Sequence, residues 1–457
     1  MVPGARRRAG NESGTDRPPA QRRGPASRRG QGPLTMSGPR KSSLDFWVAS
    51  AILCAILAWT AQVMLTPART QWDLKVYMGC SRILAQGENP YLQEQIINDV
   101  SFPCLYPPLV IDAYRPFAAL SDAWGRHAGQ HLWSLLKILA IAGLLLLWKK
   151  YFWDLKFEPY HVLFLVLAYG TPFLTDFRCG NAAVFEQVML WGAFAALAAG
   201  RDMLFGALIA AASLMKLTPL AFLPLLLLRP RPNWKIFAAA GALFAALLGC
   251  NEVLHPGLLR EYFHQLVGVD QAWHHEAGPN NCSTYGFIKQ GLEIWLGDRS
   301  RAVALAKTLF LPLAAIILAL SLRAGRAILQ DKSSPNATRK EMILFYCMVY
   351  ALLVPRMKDY TFMLLLIPTL FILEAPISAK LRWAILLLAG ANSAKGLAKS
   401  SGLGEWSFFF AYFKLYAAAL CWWAYVKTAS RLPDLSRSGP ARSEPAAIRD
   451  LRSFLGD

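Results

Sequence analysis

Long apolar runs alternate with short polar breaks from residue 46 to residue 426, at 46–65, 131–148, 160–175, 183–199, 203–228, 236–254, 303–322, 342–354, 360–373, 381–391 and 408–426. Several approach the roughly 20 residues needed to cross a hydrocarbon core of about 30 Å. A soluble fold would have few amphipathic helices left to cover so many apolar ones. The pattern predicts an all-α polytopic membrane protein, because helices satisfy their own backbone hydrogen bonds in lipid.

The run 203–228 is broken in its middle by Lys216 and Pro219. As one kinked helix it strands the later basic blocks outside. As two short helices turning back near Lys216 it gathers every basic block on one side: the N-terminal arm, 149–156, Arg201, 229–235, 323–340 and the tail from Lys427. Cytoplasmic loops are enriched in Lys and Arg, which favours the second reading. Such short helices need neighbours or a water-filled cavity to satisfy their ends. About twelve transmembrane helices follow, with both termini cytoplasmic and the membrane a cell inner (plasma) membrane.

Three parts are expected: a disordered basic cytoplasmic arm at 1–44, an integral membrane domain at 45–428, and a basic cytoplasmic tail at 429–457. The arm carries ten Lys or Arg against two acids, and its Pro and Gly content argues against a fold of its own. The net charge of +19 does not point to nucleic acid, since the cations lie in loops and tails around a bilayer. Eight cysteines show no metal spacing. Cys80 and Cys104 share one external loop and can pair if that side is oxidising.

That loop, 66–130, is the longest polar insertion. Pro103, Pro107, Pro108 and Pro116 interrupt its apolar part, so 105–120 is expected to form interfacial helices rather than a crossing. The other external segments are 176–182, the Lys216 turn, 255–302, 355–359 and 392–406. The unusual polar residues collect on this side.

Asp73 stands a few residues past the first run, and in a helix Tyr77 shares its face at i+4. A shielded carboxylate there can act as a general base toward a hydroxyl; a solvated loop acid is the plainer alternative. Lys216 in an apolar stretch suggests an anion-binding cation, or else a side chain that snorkels to the headgroups. Arg356, Lys358 and Asp359 suit a phosphate-bearing ligand, or a simple interfacial anchor. His274 and His275 are adjacent and have no spaced third ligand, so no metal site is expected. Asn280, Asn281 and Ser283 can bond a sugar or only shape a turn, and Arg178, Gly180 and Asn181 form a smaller break of the same kind. No phosphate-loop motif and no D-x-D pair is present, so neither ATP-driven transport nor a metal-bound nucleotide sugar is indicated.

The order of these motifs resembles glycosyltransferase family 87, integral-membrane transferases of the GT-C fold. The matching pieces are D-L-K-V-Y and G-E-N-P-Y in 73–91, Y-P-P-L and R-P-F-A-A-L in 106–120, and G-N-A-A-V-F at 180–185. M-K-L-T-P-L at 215–220, the basic R-P-R-P-N-W-K, N-N-C-S at 280–283 and V-P-R-M-K-D-Y at 354–360 complete the series. The resemblance implies a hexose donor on polyprenyl phosphate, mannose being the first choice, and no cofactor. It also implies an extracytoplasmic site, an inverting transfer to a hydroxyl of a glycolipid or cell-envelope glycan, and Asp73 as base. Lys216, Arg356 and Lys358 would bind the donor phosphate, with Tyr77, Asn89, Tyr91, Tyr106, Asn181, His274, His275, Asn280, Asn281 and Asp359 around the substrates. Family members often carry Gln in place of Asn181, and His and Trp in place of 356–359, which leaves donor and acceptor identity open. The competing class is a transporter or flippase for a lipid-linked or anionic solute, in which Lys216 would line the path.

Overall fold

The computed structural model describes residues 43–66, 70–92, 103–125, 127–152, 159–228, 232–273, 281–330, 335–390 and 404–429. His274, His275 and Asn280, the arm at 1–42 and the tail beyond 429 lie outside the described residues. The described chain is helical throughout and contains no strand.

The first helix, α1 (Ser43–Leu65), is followed by α2 (Trp72–Ala85), the first element of the long insertion. Two short helices, α3 (Pro108–Asp112) and α4 (Arg115–Trp124), occupy the proline-interrupted stretch. Each is far too short to cross a bilayer at 1.5 Å per residue. A proline stands in the first turn of both, where its missing N–H has no intrahelical partner to lose.

Then come α5 (Ala128–Tyr151), α6 (Pro159–Leu167), α7 (Pro172–Cys179), α8 (Ala183–Ala198) and α9 (Asp202–Met215). Between α6 and α7 the axis bends by 63° through a turn in which Tyr169 and Thr171 adopt left-handed backbone angles. The 203–228 run breaks at Lys216, whose backbone is extended, and continues as a 3-10 helix, Thr218–Leu226. Pro219 and Pro224 remove two of the N–H donors that an α-helix would need there.

The remaining helices are α10 (Trp234–Leu254), α11 (Leu258–Trp273), α12 (Thr284–Leu296), α13 (Arg299–Gln330) and α14 (Pro335–Leu353). A 3-10 segment, Asp359–Leu365, leads into α15 (Leu366–Glu374), followed by α16 (Ala379–Gly390) and α17 (Phe413–Ala429).

Among the described residues four helices are long and apolar enough to cross a membrane: α5, α10, α13 and Phe408–Thr428; the bent pair α6 and α7 makes a fifth if taken as one span. Their packing is that of a membrane protein. Of the 21 residues of α10 only Ala240 and Asn251 are buried, and apolar side chains such as Leu243 and Val253 face outward. Hydrocarbon is as apolar as these side chains, so facing it costs them nothing. In contrast α8 is buried along nearly its whole length, packed between α5 and α9. Trp148, Trp191 and Phe194 form the centre of the larger core there. A second, smaller core joins α2, α3 and α4 through Tyr77, Tyr106, Tyr114 and Trp133, and it carries the site described next.

Candidate active site

Asp73 sits in the first turn of α2, where the helix dipole favours a carboxylate. The helix start is fixed from outside. Gln71, at φ 58°, donates its N–H to the Arg178 carbonyl (2.7 Å) and its side-chain amide to Ser134 on α5 (2.8 Å). At the end of α7, Gly180 has φ +74°, and a Cβ there would lie 2.8 Å from the Cα of Gln71. Both the positive φ and this close approach call for glycine.

Immediately after it, Asn181 divides its amide group between two acceptors, Asp73 Oδ2 at 2.7 Å and the Tyr77 hydroxyl at 3.1 Å. Its carbonyl oxygen accepts the N–H of Ala183 at the start of α8 (3.0 Å). Tyr77 in turn lies 3.3 Å from the Tyr106 hydroxyl. No hydrogen bond from the described residues engages Asp73 Oδ1, which leaves that oxygen for a ligand.

Tyr106 is held in this position by covalent and polar ties. A disulfide joins Cys104 to Cys80 on α2, and the Tyr106 carbonyl accepts the Tyr91 hydroxyl at 2.7 Å. Asn89 forms a local turn by accepting the Tyr91 N–H (2.9 Å). Asn89 and Tyr91, expected at the substrate, thus stand behind Tyr106 and do not line the cavity.

The cavity has a volume of about 500 Å³. Asp73, Tyr77, Tyr106, Asn181, Lys216, Arg356 and Lys358 all line it, though they are scattered over almost 300 positions of sequence. Its other wall is apolar and aromatic, with Trp72, Leu105, Met215, Tyr262 and Leu266 among its residues.

Lys216 reaches it from the extended break between α9 and the following 3-10 helix. Its ammonium is 2.6 Å from Glu186 Oε2 and 5.0 Å from the centre of the Tyr360 ring. Glu186, the one charge in a largely apolar helix, is not among the residues the sequence pattern singles out, although its cost in hydrocarbon is the same signal that marks Lys216. Tyr360, which the apolar pattern places in a span, also lines the cavity.

Arg356 and Lys358 are presented by a short loop that the N-N-C-S motif holds. Asn281 accepts the Met357 N–H (3.0 Å) and donates to the Pro355 carbonyl (3.2 Å). The Ser283 hydroxyl donates to the same carbonyl at 2.7 Å, and the Cys282 N–H to the Met357 carbonyl at 3.0 Å. Met357 is buried behind the loop, while the residues on either side face the cavity, as alternation in extended backbone requires. Asn281 is therefore a scaffold residue rather than a lining one. Asp359 turns away to pair with buried Lys414 at 2.8 Å, outside the cavity. Among the described residues no three of His, Cys, Asp and Glu come together as a metal site.

Burial raises the Asp73 carboxyl above its ordinary value; the Asn181 hydrogen bond and then Lys137, Lys216 and Lys358 oppose that rise. Burial also pushes the Tyr77 hydroxyl well up, so it remains neutral and available for hydrogen bonding. A carboxylate placed among cations, beside an apolar wall, can take a proton from a hydroxyl while an anion is held nearby.

The sequence profile of glycosyltransferase family 87 matches residues 105–355. That range contains Tyr106, Asn181 and Lys216, and stops just short of Arg356; Asp73 precedes it. No curated protein and no solved structure matches the chain. The match extends over more than half of the sequence, and with it the chain belongs to glycosyltransferase family 87, as a multi-pass membrane glycosyltransferase.

Proposed function

We propose that this enzyme moves a hexose, mannose being the first candidate, from a polyprenyl-phosphate donor to a hydroxyl of a glycolipid or cell-envelope glycan. The single observation that carries the reading is the cavity in which Asp73, Lys216, Arg356 and Lys358 converge beside an apolar wall. A lipid phosphate needs both halves of that lining.

In the proposed reaction Asp73 Oδ1 takes the proton of the acceptor hydroxyl as its oxygen attacks the anomeric carbon. The bond to the phosphate oxygen breaks on the opposite side, the configuration inverts, and the electron pair leaves on polyprenyl phosphate. Arg356, Lys358 and Lys216 stabilise the charge that develops there. Lys216 already bonds Glu186, so its part is to offer its remaining N–H donors from a fixed position. Preorganised donors of this kind are each worth on the order of 100-fold in rate.

We place the reaction on the extracytoplasmic face of the plasma membrane, in a GT-C-type fold of about twelve spans with both termini cytoplasmic. The Cys80–Cys104 disulfide supports that side for the first loop, since structural disulfides persist in oxidising compartments.

The test is sugar transfer by the purified protein in nanodiscs, offered a panel of radiolabelled polyprenyl-phosphate sugars and a total lipid extract, with Asp73→Asn alongside. A labelled product that falls by roughly 100-fold or more in the variant supports the donor class and the base. Transfer by Asp73→Asn at the wild-type rate rules Asp73 out as base.

A further inference from the structure

Lys137 on α5 and Asp176 on α7 form an ion pair that reaches neither solvent nor the cavity. Both side chains are 1% exposed, with Nζ 2.7 Å from Oδ2. The same ammonium donates to the Asp176 main-chain carbonyl at 2.6 Å. That carbonyl also accepts the N–H of Gly180 (3.0 Å) and of Asn181 (3.3 Å). One oxygen thus ties a buried cation to the turn that delivers Asn181 to Asp73.

Stability does not account for such a pair. Desolvating two charges costs several kcal/mol per ion, and well-packed apolar residues often serve a fold as well or better. The pair is also incompletely satisfied, since Asp176 Oδ1 has no hydrogen-bond partner among the described residues.

We propose that Lys137 and Asp176 are a positioning pair for Asp73: the ammonium holds the Gly180–Asn181 turn in register with the carboxylate and provides the fixed cation behind it. This rests on the reading of Asp73 as the base.

Around Asp73 stand Tyr77 on its own helix, Tyr106 and Tyr114 from the chain that follows, and Asp176 and Cys179 on α7. The other described groups there are Lys137 on α5, Lys216 after α9 with its partner Glu186, Arg356 and Lys358 on the loop before the Asp359–Leu365 segment, and Tyr360 within that segment. Of the cations, Lys216, Arg356 and Lys358 line the cavity and are exposed to whatever anion occupies it. Lys137 is sealed off, and its effect on Asp73 exceeds that of Lys216 or Lys358. Its charge therefore favours the Asp73 carboxylate whether or not an anion fills the cavity, until the acceptor's proton is taken.

The experiment replaces the pair with apolar residues of similar size, Lys137→Met together with Asp176→Leu, in the full chain in nanodiscs. Thermal unfolding is measured, and the Asp73 carboxyl is titrated by infrared spectroscopy on protein with labelled aspartate, Asp73→Asn identifying its band. The expected result is a protein that unfolds no earlier than wild type while Asp73 titrates higher, the loss of the Lys137 cation and of its hold on the Gly180–Asn181 turn outweighing the loss of the Asp176 carboxylate. Lys137→Gln, which keeps a hydrogen-bond donor but not the charge, is expected to move the titration in the same direction, and its titration decides the matter if the double variant does not fold. An unchanged Asp73 titration in the folded variants overturns the proposal. If the titration moves as expected but Asp73→Asn still transfers sugar, the pair stands and the assignment of the base falls.

Discussion

Asn181→Ala gives the sharpest view of the carboxylate. The substitution removes the 2.7 Å bond to Asp73 Oδ2 and the 3.1 Å bond to Tyr77, and introduces no charge. A hydrogen bond to a charged group contributes about 1.5–3 kcal/mol, and 1.36 kcal/mol corresponds to one pKa unit, so the Asp73 carboxyl should rise by roughly 1–2 units. The direction follows from which form is active. A base works deprotonated, so activity is full above the Asp73 pKa and is lost as pH falls through it. Burial already raises that pKa and the Asn181 bond lowers it, so losing the bond moves the acid limb of kcat/KM toward neutral pH. The assay is the pH dependence of sugar transfer by wild type and variant at low substrate, where kcat/KM reports the free enzyme. Unfolding temperatures measured alongside separate this effect from the loss of the 3.0 Å bond to Ala183. An acid limb that coincides with that of wild type, at any plateau rate, refutes the reasoning.

Two further outcomes test how the cavity is held. Converting Cys80 and Cys104 to Ser together opens a loop with a sequence separation of 24, which is expected to cost about 3 kcal/mol and to release Tyr106 from Tyr77; a thermal shift in detergent measures the first and transfer rate the second, and an unaltered unfolding temperature would contradict it. Asn281→Ala leaves the Met357 N–H without its partner, at about 1–3 kcal/mol, and takes one of two hydrogen bonds from the Pro355 carbonyl, which keeps Ser283. Because the loop carries Arg356 and Lys358, the donor KM should rise more than kcat falls, and a variant with wild-type KM would show that the loop keeps its shape without Asn281.

Much of this site is legible in the sequence because charge in an apolar context is costly and therefore conspicuous. Lys216 stands out that way, and so do Arg356 and Lys358 between two apolar runs. Asp73 and Tyr77 follow from helical spacing, which the structure realises on α2. Lys137 and Glu186 are open to the same argument, but each is a single charge inside a run whose mean apolar character hides it. The expected crossings are harder to judge. The runs at 183–199, 203–228 and 360–373 become helices or 3-10 segments shorter than the roughly 20 residues that span unaided; the first is that short as a run, and the second is cut at Lys216, where the cavity is built.

What sequence order withholds is which polar groups meet. Asn89 and Asn181 are the same residue type beside the same kind of break, yet one closes a local turn around Tyr91 while the other spans 108 positions to Asp73. The difference lies in Gly180. Its positive φ and the 2.8 Å that a Cβ would leave to Gln71 bring the end of α7 against the start of α2, so the next side chain must meet the first turn of that helix. Lys216 with Glu186 and Lys137 with Asp176 are likewise joined across 30 and 39 positions. Each partner is chosen by the approach of helices, and between α7 and α2 that approach is possible only because Gly180 has no side chain to prevent it.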